Sequence, residues 1–150
     1  MKLAAALSER ADLQRRISEL GVRLNNNAKV QEGEKPSEDP QKLLNELDVC
    51  LKRLEELIAR INKTNNETRS GDLTVTDLIA HRDCLKERIR IMRDFLNVSS
   101  DKLSRYSKTE IKVFSTVPVA ELQKQVDAYS RQLRETDELI QSLNWTTELI

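Results

Sequence analysis

Apolar residues recur along four stretches of the chain at alternating intervals of three and four, the spacing that stacks side chains on one face of a helix. The longest run passes through Val75, Leu78, Arg82, Leu85, Ile89, Met92, Leu96, Ser99, Leu103 and Tyr106. It predicts a helix from Val75 to Tyr106, roughly 45 Å long at about 1.5 Å per residue. A first helix is predicted from Lys2 to Leu24 through Leu3, Ala6, Arg10, Leu13, Ile17, Leu20 and Leu24. A second begins with Asp39 as N-cap and Pro40 at the first helical position, where the missing N–H costs nothing. It continues to Asn62 through Leu43, Leu47, Cys50, Leu54, Leu57 and Ile61, and a second stripe of Leu44, Leu51 and Ile58 widens its apolar face. Such a helix should touch two neighbours or a further subunit. Pro118 opens a last helix that runs through Val119, Leu122, Val126, Tyr129, Leu133, Thr136, Ile140 and Leu143.

The stretches between lose the rhythm. Asn25 to Pro40 holds three asparagines, Gly33, two prolines and an acidic cluster, the makings of a long connector. Asn65 to Asp72 turns the chain, and Thr74 with Asp77 three residues on resembles a capping box. Ser107 to Val117 carries β-type residues (Ile111, Val113, Phe114, Val117) and is predicted to be a short strand or extended arm. The pattern therefore predicts an all-α chain, a single domain over residues 1–150. Its architecture is an antiparallel four-helix bundle of long coiled-coil-like helices with one short extended segment between the third and fourth. The Asn25–Pro40 and Ser107–Val117 segments fall at one end of such a bundle. Residues 62–72, the N-terminus and the tail Asn144–Ile150 with Trp145 fall at the other.

If the helix ends are flush, Arg10, Arg82 and Thr136 stand at one height, with Asp137 adjacent. A guanidinium on a seam is costly unless paired. Arg10 and Arg82 are therefore expected to meet Asp137, Glu138 or Glu56 in a half-buried layer, or else to reach solvent along apolar stems.

Composition narrows the chemistry. Lys plus Arg and Asp plus Glu are each 25, and aromatic residues make up 3% of the 150. A neutral chain poor in stacking rings is not expected to bind nucleic acid. No apolar stretch approaches the roughly 20 residues that span a bilayer, and Met1 to Leu7 lacks a signal peptide's long apolar region, so a cytoplasmic protein is expected and membrane association is not. On that basis Cys50 and Cys84, both placed on apolar stripes, are expected to be buried free thiols, and the four N-x-S/T triplets carry no meaning. His81 and Cys84 form an H-x-x-C step, but no other histidine exists to close a zinc site. There is no Gly-rich phosphate loop, nucleophile elbow or Glu-x-x-His carboxylate motif. The residues predict a protein with neither catalytic activity nor cofactor.

The end segments carry a family resemblance. "RLNNNAKVQEGEKPSEDP" (Arg23 to Pro40), "INKTN" (Ile61 to Asn65), "RYSKTEIKVFSTV" (Arg105 to Val117) and "LNWTTEL" (Leu143 to Leu149) together resemble the bacterial septicolysin family of small, largely uncharacterised helical proteins. Arg10 within "ERADLQRRI" and Arg82 within "RDCLKERI" fit that resemblance, whereas Cys50, His81 and Cys84 look particular to this chain. The resemblance implies a homo-oligomer and, through the family name, a pore-forming activity as the alternative function. The residues themselves favour a non-enzymatic bundle that self-associates through helix faces and end loops. Expected contacts there are Asn25, Asn26, Asn27, Lys29, Arg105, Tyr106, Ser107, Glu110 and Phe114.

Overall fold

The structure, a computed structural model, describes residues 1–100 and 111–150. Over these residues it is an all-α helical-bundle fold with four helices and one two-stranded hairpin: α1 (Leu3–Asn26), α2 (Pro40–Glu67), β1 (Arg69–Ser70), β2 (Leu73–Thr74), α3 (Val75–Ser100) and α4 (Val119–Thr146). The chain divides into two compact units. Met1–Val75 with Ser142–Ile150 form the first, and Thr76–Gln141 form the second.

In the first unit α1 and α2 pack antiparallel. Near the start of α1, Leu3 and Ala6 meet Leu57 and Ile61, and at its other end Leu20 meets Leu43 and Cys50. These are the seam residues of both helices, so the seven-residue rhythm is the packing surface itself. Asp39 caps α2 by accepting a hydrogen bond from the Gln41 N–H at 3.0 Å, with Pro40 opening the helix as its spacing predicts. α2 runs five residues beyond Asn62. Thr64 extends the seam one step past Ile61, is fully buried, and donates its hydroxyl to the Arg60 carbonyl at 2.8 Å. A polar residue thus continues the packing, which the apolar rhythm alone does not show.

The chain's two ends close this unit. Lys2 and Glu148 form an antiparallel bridge, the Leu3 N–H donates to the Thr147 carbonyl at 2.9 Å, and the Leu149 N–H donates to the Met1 carbonyl at 2.8 Å. The Ile150 N–H donates to the Thr64 hydroxyl at 3.0 Å, and Leu149 joins the cluster of Leu3, Ala6, Leu57 and Ile61. The predicted turn before α3 is a tight hairpin, Ser70 paired with Leu73 around Gly71 and Asp72. Gly71 has φ +61°, a conformation that glycine adopts without strain.

In the second unit α3 and α4 are also antiparallel. Ile89, Leu96 and Val126 are the buried centre, with Met92, Leu122, Tyr129 and Leu133 packed around them. Pro118 stands just outside α4, its carbonyl accepting the Leu122 N–H at 3.1 Å. Residues 111–117 have no regular structure, and their apolar side chains Ile111, Val113 and Phe114 are exposed.

Ion pairs that α1 makes with α2 and with the connector add a pH dependence. The Arg53 guanidinium donates to Glu9 at 2.7 Å and 3.0 Å, holding that carboxyl below the usual carboxylate range, and Arg23 does the same to Glu38. A carboxyl depressed in the folded state contributes stability above its unfolded pKa and loses it as pH falls through the folded value. Stability should therefore decline below about pH 4.3. In urea titrations across that window, Glu9→Gln is expected to flatten the decline, and an unchanged slope would contradict the assignment.

Candidate functional site

The two sides of the α1–α2 hairpin differ. One residue before each seam position, α1 presents Glu9, Arg16 and Arg23, and α2 presents Glu46 and Arg53. These lace the helices together: Arg53 with Glu9, Arg16 with Glu46 at 2.6 Å, and Arg23 with Glu38 of the connector. Hydrogen bonding to Glu46 and to Glu38 raises the pKa of Arg16 and Arg23 respectively. That rim is closed.

One residue after each seam position the surface is open. On α2 these positions hold Leu44, Leu51 and Ile58, which are 46%, 46% and 37% exposed. Leu51, Leu54, Glu55, Ile58 and Ala59 line a groove of about 460 Å³. Three large aliphatic side chains at seven-residue spacing share one side of the helix, with Asp48 and Glu55 between them, unlike the scattered exposed apolar residues found on any protein. On α1 the matching positions are Ala4, Leu7, Ala11, Gln14, Ser18, Gly21 and Asn25, none of them charged.

The connector between α1 and α2 is anchored rather than loose. Asn27 is buried, donates its amide to the Arg23 carbonyl at 2.8 Å and accepts the Glu38 N–H at 3.0 Å. It acts as a helix-end clamp. Asn25, Asn26 and Lys29 are exposed beside it, and Asn26, Asn27 and Lys29 line a polar depression of about 430 Å³ with Lys35 and Glu34.

In the second unit Arg82 donates to its neighbour Asp83 at 2.9 Å and lies 3.8 Å from the Asp137 carboxylate. Arg10 belongs to the first unit. Its Nε is buried without a hydrogen-bond partner among the described residues. Glu56, offered by the sequence as a partner, is taken by Arg53 and Arg60. Phe114 is 77% exposed and lines a depression of about 210 Å³ with Phe95, Val98 and Val113. Arg105, Tyr106, Ser107 and Glu110 lie outside the described residues.

Cys50 is buried as expected, but Cys84 is exposed, a correction. It stands one position before the seam residue Leu85, about 100° round the helix from the packed face. Cys84 and His81 flank a depression of about 220 Å³ in which Arg88 lies 4.8 Å from the Tyr129 ring centroid and donates to its hydroxyl. Among the described residues no group of His, Cys, Asp and Glu is placed to hold a metal ion.

A solved structure titled as that of a functionally unknown conserved protein from Corynebacterium diphtheriae is 40% identical to this chain, with a TM-score of 0.93. The match covers 100% of this chain and 99% of that one. No protein with a curated description matches. The resemblance to the septicolysin family is overturned, because residues 10–149 match a different family and nothing supports the first. Much of what carries that resemblance is helix ends and connectors, where asparagine, glycine and proline serve to stop and restart helices. Unrelated helical proteins share such stretches for the same physical reason. With its match over residues 10–149, the chain belongs to the family of unknown function DUF6847.

Proposed function

We propose that this is a non-enzymatic cytoplasmic helical protein that self-associates, and that its biological role is exercised through the surfaces of the assembly. The observation that carries this reading is the stripe Leu44, Leu51 and Ile58, whose side chains stay substantially exposed. An apolar stripe of this kind stabilises a chain only when something covers it. The connector residues Asn25, Asn26 and Lys29 reach the surface at one end of the same hairpin and serve as secondary contacts. Among the described residues no helix is long and apolar enough to cross a membrane.

Light scattering on a sizing column, repeated over a broad dilution series, tests this directly. The expected mass is a stable multiple of 17.3 kDa. Leu51→Lys should shift the chain to monomer with unchanged helical circular dichroism, since burying an unpaired ammonium costs far more than the contact returns. A wild-type monomer at every concentration would sink the proposal.

A further inference from the structure

We propose that the partner on this face is a second copy of the chain, laid so that α2 of one copy rests along α1 of the other, with Arg10 of one copy paired to Glu55 of its partner. The inference rests on the self-association reading and specifies its geometry. Three features of the open side lead to it.

Size comes first. The large stripe of α2 needs a surface with room for it, and the open stripe of α1 supplies Ala4, Ala11, Ser18 and Gly21. Gly21 sits inside α1, where glycine weakens a helix, and a Cβ placed on it would meet no atom of the described residues within 4 Å. Among the described residues nothing packs against Gly21, which leaves room there for a partner's leucine.

Charge comes second. The open stripe of α2 interleaves its aliphatic residues with Glu55 and with Asp48, which Lys52 pairs at 2.7 Å, while that of α1 is neutral. Two α2 stripes laid on each other would oppose acid to acid, which is repulsive. α2 on α1 avoids this and offers Glu55 a cation. Arg10 has its Nε buried and unpartnered, and among the described residues neither it nor Glu55 forms an ion pair. The Arg53–Glu9 and Arg16–Glu46 pairs put Arg10 level with Lys52 along the hairpin. Glu55 is thus less than one helical turn away along the axis, within reach of a long arginine side chain.

Area comes third. The 24 residues of α1 extend about 36 Å, and two helices side by side are about 20 Å across. Covering that face buries about 700 Å² per copy, close to the roughly 800 Å² per partner of a stable interface.

The experiment compares the solution mass of wild type, Arg10→Glu, Glu55→Arg and a 1:1 mixture of the two variants, with Ala11→Glu as a variant that places charge on an exposed part of the α1 stripe. Each charge reversal is expected to weaken the assembly by at least about tenfold. The mixture should recover the dimer mass, because the two reversals together restore an acid opposite an arginine with their places exchanged. Ala11→Glu should dissociate the assembly while leaving the helical spectrum unchanged. A wild-type assembly that survives Ala11→Glu, or a mixture that stays monomeric, overturns this arrangement and leaves self-association standing. Wild-type monomer at all concentrations removes both.

Discussion

Leu57→Ala is expected to lower the stability of the first unit by about 3 to 4 kcal/mol, near the middle of the range for emptying a packed leucine site. Leu57 has 0% of its surface exposed and sits in one cluster with Leu3, Ala6, Ile61 and Leu149. Its side chain therefore belongs to a core built from α1, its own helix and the tail together. Truncation removes contacts within that core, and a site held from three directions cannot collapse onto the void. Urea unfolding followed by circular dichroism measures the loss. A change below about 1 kcal/mol would mean that the cluster is loosely packed, against the usual density of protein interiors.

Leu149→Ala is expected to cost about 2 to 3 kcal/mol, and Trp145→Ala less than about 0.5 kcal/mol. The ranking inverts what residue size suggests. Trp145 is 69% exposed, whereas Leu149 is 7% exposed and packs into the cluster around Leu57. The backbone at Leu149 is pinned as well, by the bonds from its own N–H to Met1 and from the Ile150 N–H to Thr64. Loss of the leucine frees the tail from its main apolar anchor. Thermal unfolding of the two variants side by side would decide the ranking, and equal losses would contradict the placement of the tail.

The helices can be read from residue spacing because each seam is a local pattern whose period is set by helix geometry. Asp39 and Pro40 mark the start of α2 through backbone chemistry that needs no partner. The end of α2 is less legible. Thr64 and the asparagines around it look like a turn until Thr64 is seen to bond the Arg60 carbonyl and the tail at once. The anchoring of the tail by Leu149 is not legible in its sequence, because it depends on α1 and α2 meeting there. The open stripe of Leu44, Leu51 and Ile58 is legible through its seven-residue repeat. The closed rim of Glu9, Arg16 and Arg23 is not, because pairing across helices depends on how far one has slid along the other. Asn27 lies among the predicted contact residues, yet its two hydrogen bonds show it clamping the connector. The exposure of Cys84 escapes a reading by stripes because one step along the sequence is about 100° round a helix.

The bridge between Lys2 and Glu148 also bears on how the chain comes to be folded. These residues meet across nearly the full length of the sequence, so the tail that completes the first cluster leaves the ribosome well after α1 and α2. Until it arrives, a nascent chain holds those two helices with part of their seam uncovered. Local helical hairpins form in microseconds to milliseconds, while closure of a long loop adds an entropic delay. Refolding should accordingly show helix appearing before the tail docks, and in the cell the exposed seam would be the surface that a chaperone meets first.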